Sequence, residues 1–259
     1  MNLLRHAIPF PLISLISGLL IVGCKSKQAN TTQTQIAPRL IEPLKFADFT
    51  VSQINQESAR SLLNCKVNTG TIDTNAYHFL TLNRTNILVE TVNEYRQAKL
   101  AGFTAQTTAD LSTESWFIAT DRVLSFMEQA QPSNQSLFRA KDLKYLPVSL
   151  LNWNEREQGE ELKRDAEKGM TLNDCTGPTS KHQIHALKLK DNGIRFSDDV
   201  CDYDVSELCR GDLDGDGFED ALVMVATYYR EGSGRAYQCW VVSKTVADKS
   251  QLELKARVR

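Results

Sequence analysis

Cys209-Arg-Gly-Asp-Leu-Asp-Gly-Asp-Gly-Phe-Glu-Asp220 runs directly into the apolar stretch Ala221-Leu-Val-Met-Val-Ala-Thr-Tyr-Tyr229. The apolar stretch is short, rich in strand-forming residues and bounded by turn-forming residues, which is typical of a buried strand. Residues 230–235 contain two glycines and predict a turn, and residues 236–245 predict the return strand. The sequence therefore predicts a β-hairpin with an acidic, glycine-containing loop at its entrance.

The acidic loop places oxygen-bearing residues at the spacing of a calcium-binding loop. Counted from Asp212, aspartates occupy positions 1, 3, 5 and 9, and glycine occupies position 6. Calcium takes about six to eight oxygen ligands in flexible geometry, and a backbone carbonyl at position 7 can be one of them. Position 12, where an EF-hand has a bidentate glutamate, is Val223, so the loop is not an EF-hand. The predicted calcium ligands are the side chains of Asp212, Asp214, Asp216 and Asp220 and the carbonyl of Phe218.

The pattern Asp-x-Asp-x-Asp-Gly-x-x-Asp before a strand resembles the calcium loops of FG-GAP repeats in integrin-type propellers and of related bacterial extracytoplasmic proteins. It occurs once, so the resemblance implies the loop chemistry and not the propeller, which needs several copies. Between residues 198 and 220 lie ten acidic residues and one base, Arg210, and a bound divalent cation would offset their repulsion. The alternative is an acidic turn that binds nothing. We expect the ion to stabilise the hairpin and not to take part in catalysis.

The N-terminus has the form of a secretory signal. Arg5 precedes an apolar run over residues 7–22, which is shorter than the roughly 20 residues that span a membrane. Residues 21–24, Ile-Val-Gly-Cys, resemble the lipobox of bacterial lipoproteins, whose cysteine receives a diacylglycerol and a further acyl chain such as palmitate. The resemblance implies that residues 1–23 are removed and that Cys24 is lipidated. An ordinary signal peptide is the alternative.

A lipidated Cys24 would place the protein on a bacterial membrane. One acyl chain binds reversibly, whereas two or three anchor firmly. Lys25 stands where the enterobacterial inner-membrane retention signal has aspartate, so the resemblance implies the outer membrane, with the protein facing the periplasm. Residues 24–39 are polar and aperiodic and predict a flexible tether. The expected partners are the membrane, through the anchor, and a protein of the cell envelope.

The remaining chain predicts an α+β fold. Helical periodicity dominates residues 40–169, whereas short alternating segments and an Asn192-Gly193 turn follow in residues 170–259. We therefore expect a mainly helical N-terminal part and a small antiparallel β C-terminal unit that carries the calcium-loop hairpin. The predicted helices cover residues 51–65, 86–100 with Thr85 as N-cap, 121–131 and 150–168.

The cysteines predict disulfides, because an exported chain meets an oxidising compartment. Besides Cys24 there are five, from which two bridges and one unpaired thiol are expected in any of fifteen arrangements. One possible pair is Cys201 with Cys209, which would close a short loop beside the calcium site, and another is Cys175 with Cys239. The disulfide candidates are Cys175, Cys201, Cys209 and Cys239, and the sequence leaves open which of the five cysteines stays unpaired.

Composition and motifs favour a binding protein over an enzyme. The formal net charge of −2 leaves no dominant basic face, so nucleic acid is not an expected partner. No hydrolase, metalloprotease or nucleotide-binding motif occurs, and no catalytic residue is predicted. His182 and His185 with Cys175 fit no standard zinc spacing.

The leading hypothesis from the sequence is a non-enzymatic, membrane-anchored envelope protein with a structural calcium loop. One alternative is an envelope hydrolase that uses carboxylates of the acidic segment 198–220, with Asp198, Asp199, Asp202 and Asp204 as the candidates. The other is an inhibitor or adhesion module whose hairpin is the interface.

Overall fold

A large antiparallel sheet forms the centre of the computed structural model, which describes residues 34–69, 79–151, 156–244 and 252–257. Its strands are β1 (Arg39–Leu40), β6 (His185–Lys190), β7 (Gly193–Ser197), β8 (Cys201–Gly211), β9 (Asp220–Tyr229), β10 (Arg235–Ser243) and β11 (Glu253–Arg257). Two small hairpins lie outside it, β2 (Leu44–Lys45) with β3 (Thr50–Val51) and β4 (Phe79–Leu82) with β5 (Thr85–Leu88). The helices are α1 (Gln56–Leu62), α2 (Val92–Leu100), α3 (Thr108–Gln129) and α4 (Arg156–Glu167), with 3₁₀ turns at Ala140–Tyr145, Val148–Leu150 and Leu172–Cys175.

The order of strands across the sheet is β11, β10, β9, β8, β7, β6. The long strand β8 pairs with two strands along one of its edges. Strand β7 pairs with its first half, and β1 pairs with Cys209 and Arg210 near its end. The apolar run predicted as a buried strand is β9, and it forms the predicted hairpin with β10. The Asn192-Gly193 turn likewise joins β6 to β7, as the sequence predicts.

Two apolar cores lie on opposite faces of the sheet, because alternate residues of each strand point to opposite sides. On one face, helix α3 packs against the sheet and α1 and α2 pack against α3, and their apolar side chains share one core with Leu222 and Val241. On the other face, α4 and the 3₁₀ turns pack with Val223 and Val242. Strand β9 is consequently buried on both faces, which explains its continuous apolar sequence.

The prediction of a mainly helical N-terminal part with a small β C-terminal unit is wrong. Among the described residues, strand exceeds helix, the helices are few, and the C-terminal sheet curls into an antiparallel half-barrel. In β8, buried Tyr203 and Val205 alternate with Asp202 and Asp204, and this acidic half of the alternation masks the strand in the sequence. The N-terminal helices use the sheet as their packing partner, since α3 contacts β8, β9 and β10.

The second predicted helix begins later than its sequence suggests. Thr85 belongs to β5, which pairs with β4 across a turn where Asn83 and Arg84 have positive φ of 50° and 65°. Helix α2 follows Thr91 instead. The Thr91 hydroxyl accepts a hydrogen bond from Glu94 N at 3.2 Å, and the Glu94 carboxylate accepts one from Thr91 N at 3.1 Å. This reciprocal capping box sets the start of the helix.

The N-terminal predictions concern residues that the structure does not describe in full. The signal peptide 1–23 and the lipid acceptor Cys24 lie outside the described residues. Of the predicted tether, Ile36 pairs with Ser133 and Arg39 lies in β1, so these two residues contact the fold. Among the described helices, none combines the length and the apolar character required to cross a membrane.

Candidate metal centre

The acidic loop joins β8 to β9 and reverses the chain within residues 212–219. Two glycines permit this, because Gly215 and Gly217 have positive φ of 79° and 86°, a region that favours glycine. A Cβ atom at position 217 would also lie only 3.0 Å from the side-chain nitrogen Nδ2 of Asn134. The tight turn brings neighbouring aspartates to one point.

Asp212, Asp214 and Asp216 form a group that could hold a metal ion. Each offers a carboxylate oxygen, and these oxygens lie within 4.8 Å of one another. Backbone amides orient the carboxylates: Asp212 accepts hydrogen bonds from Gly215 N at 2.7 Å and Gly217 N at 2.8 Å, and Asp216 accepts one from Phe218 N at 2.9 Å. Asp212 is buried and the other two are exposed, so the group opens towards solvent on one side.

Asp220 adds a fourth carboxylate that is fully buried. Its Oδ2 accepts a hydrogen bond from Leu213 N at 2.9 Å, but its Oδ1 has no hydrogen-bond partner in the part of the chain that the structure describes. Burial raises the pKa of this carboxyl group above its ordinary value, against the opposing effects of the Leu213 amide, the Lys255 charge and the hydroxyl of Ser243, which lies opposite Asp220 on β10 but outside hydrogen-bond geometry. A buried carboxylate oxygen without a donor is costly. The position therefore favours a cation.

The ammonium of Lys255, on β11, lies among three of these carboxylates. Its Nζ forms an ion pair with Asp214 and lies 3.1 Å from Asp216 Oδ2 and 3.5 Å from Asp220 Oδ1. Burial lowers the pKa of Lys255, but the carboxylates outweigh burial and raise it above its ordinary value. The loop therefore already has one positive charge at the point where its oxygens converge.

A segment after helix α3 fixes the backbone of the loop. Gln131 and Asp212 exchange backbone hydrogen bonds of 2.7 and 3.0 Å. The carbonyl of Gly217 accepts from Asn134 N at 2.8 Å and from Gln135 N at 3.1 Å, and Glu219 N donates to Gln135 O at 2.9 Å. Because both arms of the loop are held, the aspartates are positioned without an ion.

A buried ion network lies beside the loop and connects it to β1 and β8. The Glu219 side chain has no exposed surface, pairs with Arg39 and lies 3.7 Å from the Arg210 guanidinium. Arg210 also pairs with Glu207, whose side chain is 1% exposed, and donates to Phe138 O at 2.9 Å. The network makes the end of β8 a rigid support for the loop.

Of the four aspartates that the sequence predicts as ligands, Asp212, Asp214 and Asp216 lie in one group, and Asp220 is linked to Asp214 and Asp216 through Lys255. Phe218, predicted as a carbonyl ligand, lies in the same loop and pairs with Gln135. Lys255 is separated from Asp220 by 35 positions, so only the pairing of β11 with β10 brings the two together. No local motif indicates the contact between Lys255 and Asp220. The alternation of buried and exposed residues in β8, by contrast, could have indicated that Glu207 of the ion network is buried.

The structure does not bring the two possible cysteine pairs together. All five described cysteines are thiols, and Cys65 is the most exposed. Cys201 and Cys209 lie eight residues apart on one strand, about 26 Å at 3.3 Å per residue, whereas a disulfide needs Cα atoms within about 7 Å. Cys175 belongs to the core on one face of the sheet and Cys239 to the core on the other. Burial raises the pKa of the Cys175 and Cys209 thiols.

The two histidines considered for zinc bind different carboxylates. His182 Nε2 lies 3.0 Å from Asp165 Oδ2, and His185 Nε2 lies 3.0 Å from Asp199 Oδ1. The hydrogen bond from His182, followed by that from Lys181, holds the pKa of Asp165 well below its usual range. These pairs tie α4 and the β6–β7 hairpin to their neighbours and do not converge on one point.

The remaining carboxylates of the acidic segment are individually paired. Asp204 binds Lys190 and Arg195, and Asp202 binds Arg230. Asp198 lines a cleft, but it accepts hydrogen bonds from two backbone amides and from the Tyr203 hydroxyl at 2.7 Å, so it serves the β7–β8 turn. The segment is a series of structural ion pairs and turns along β8.

No protein-family model, curated protein or solved structure matches the chain. The likeness of residues 209–220 to FG-GAP calcium loops therefore depends on the motif alone. The chemistry of the loop has to be derived from its own geometry.

Proposed function

We propose that this chain is a lipid-anchored, non-enzymatic envelope protein whose loop 212–220 binds one calcium ion. The observation that carries the proposal is the buried Oδ1 of Asp220, which has no hydrogen-bond partner among the described residues and lies 3.5 Å from the Lys255 ammonium that also contacts Asp214 and Asp216. A cation at that point would satisfy this oxygen and offset the repulsion of four carboxylates.

The donor set favours calcium over other biological cations. The four aspartates are hard oxygen ligands, and the Phe218 carbonyl and water would complete the six to eight ligands that calcium takes. Zinc and copper prefer imidazole nitrogen or thiolate sulfur as ligands, and this loop contains neither histidine nor cysteine. Magnesium demands near-octahedral geometry and releases water reluctantly, whereas calcium tolerates an uneven site of this kind.

A structural role for the ion agrees with the surroundings of the loop. The loop joins two long strands, and its backbone is bonded to residues 131–135. An ion would tie the start of β9 to the turn and stiffen the hairpin. The hydrolase alternative is less well supported, because the other carboxylates of the segment 198–220 pair with cations or cap turns.

The proposed location follows from the sequence. Residues 21–24 resemble a lipobox, so Cys24 would carry the lipid, and Lys25 favours the outer membrane with the protein facing the periplasm. A calcium-stiffened hairpin on such an anchor would suit contact with another protein of the cell envelope.

Calcium should raise the melting temperature of the full chain, purified in detergent, relative to the chelator-treated protein. At 100 times Kd, a bound ligand stabilises the native state by about 2.7 kcal/mol, or about 5–10 °C for a chain of this size. The shift should vanish in Asp212→Asn/Asp216→Asn and persist in Asp202→Asn, since Asp202 lies outside the loop. An equal shift in the double variant, or none in the wild type, would contradict the proposal.

A further inference from the structure

Lys255 occupies the space in which the proposed calcium ion would bind. Its Nζ contacts Asp214, Asp216 and Asp220, which are three of the four aspartate ligands. Calcium binds oxygen at about 2.3–2.6 Å, so an ion in contact with the same three carboxylates would lie against the ammonium. Two positive charges at that separation repel each other.

We propose that Lys255 is an internal counter-ion that competes with calcium for the loop. In the calcium-free protein the ammonium lies among the carboxylates, and calcium binding displaces it to solvent. This inference rests on the proposed calcium site. The lysine side chain is 21% exposed and has a flexible four-carbon stem, so it can leave without moving β11.

The buried oxygen of Asp220 supports the competition independently of the exposed aspartates. The ammonium of Lys255 lies 3.5 Å from Oδ1, which is too long for a hydrogen bond, and no other described residue donates one to this oxygen. The ammonium therefore satisfies Asp214 and Asp216 better than it satisfies Asp220. A divalent ion placed deeper in the loop would bind the oxygen that the lysine does not reach.

The formal charges show in which direction Lys255 changes the affinity of the loop for calcium. The four aspartates carry a formal charge of −4, which Lys255 reduces to −3 and a calcium ion in its place reduces to −2. Without the lysine, the calcium-free loop would keep the whole −4. Lys255 therefore stabilises the calcium-free state and lowers the affinity for calcium. Lys255 therefore raises the calcium concentration that is needed to occupy the loop.

The strand that carries Lys255 stays attached by apolar contacts when the ammonium leaves. Leu252, directly before β11, is 1% exposed, and Leu254 packs partly buried against the same core. Backbone pairing with β10 extends from Ser243 to Trp240. Exchange of the cation therefore changes the charge at the loop surface while the fold is retained.

The test is a calorimetric titration of calcium chloride into the full chain and three variants. Lys255→Met should bind calcium at least about tenfold more tightly than the wild type, because a positive charge a few ångströms away is removed. Without calcium, it should also melt at a lower temperature. Lys255→Arg keeps the charge and should stay near the wild-type Kd. Lys190→Met removes an equal charge that pairs with Asp204, away from the loop, and should leave Kd unchanged.

The outcomes separate this inference from the proposed calcium site. If the wild type binds calcium and Lys255→Met binds it equally or more weakly, the competition is wrong and the calcium site stands. An equal gain in Lys190→Met would also overturn the competition, because the effect would then be long-range charge. If no protein binds calcium, both proposals fail. Binding by Lys255→Met alone would overturn the proposed calcium function of the wild-type chain and leave only the finding that Lys255 blocks the loop.

Discussion

Arg210→Met should lower the free energy of unfolding by about 3–5 kcal/mol, the cost of breaking a buried ion pair on one side. The change leaves Glu207 without the cation it binds, and Glu219 keeps only the half-exposed Arg39. The side chains of both glutamates are almost completely buried. Methionine fills a similar volume, so the loss would report the charge and not a cavity. Urea unfolding of the full chain measures it.

Arg230→Met is the matched control for this prediction. Arg230 also pairs with one carboxylate, that of Asp202, but the two side chains are 41% and 57% exposed. Exposed pairs contribute about 0–1 kcal/mol, so this variant should stay close to the wild type. Equal losses in the two variants would mean that the network beside the loop is no stronger than a surface ion pair.

Asp220→Asn should have opposite effects with and without calcium. The amide keeps the shape of the side chain and its acceptor for Leu213 N, but it removes a buried charge whose Oδ1 has no hydrogen-bond partner among the described residues. In chelator, stability should be unchanged or rise by up to about 1 kcal/mol. With calcium, the loss of one anionic ligand should weaken binding by about 100-fold.

The two effects are measured by melting the variant in chelator and in calcium. Asp198→Asn provides a comparison, because Asp198 is also a turn-capping carboxylate but all of its described contacts are hydrogen bonds within the β7–β8 turn. That variant should lose stability equally in both conditions. The same behaviour in Asp220→Asn would identify Asp220 as an ordinary structural carboxylate.

Local patterns predict part of this fold, because some segments depend mainly on neighbours in sequence. The apolar run of β9 and the Asn192-Gly193 turn both form as predicted. Strand β8 is missed because its outward residues, such as Asp202 and Asp204, give the segment the look of a charged loop. Thr85 resembles a helix cap, but the capping box at Thr91 and Glu94 determines the helix start.

The candidate site also contains some residues that the sequence predicts and others that it does not. Asp212, Asp214 and Asp216 converge because one short loop contains them all, and Asp220 at the end of that loop accepts a hydrogen bond from Leu213 N. Lys255 and Glu219 acquire their roles through strand pairing and burial, which a loop motif does not encode. The cysteine pairs fail for a related reason: Cys201 and Cys209 are close in sequence, but an extended strand separates them.

The most direct test of the central claim is a crystal structure of the full chain grown with about 10 mM calcium chloride, roughly ten times the weakest Kd of extracellular calcium modules. We predict an ion bound to Asp212, Asp214, Asp216 and Asp220 at about 2.3–2.6 Å, with the Lys255 ammonium displaced to solvent. A loop without an ion, with Lys255 still paired to Asp214 and Asp216, would contradict this prediction.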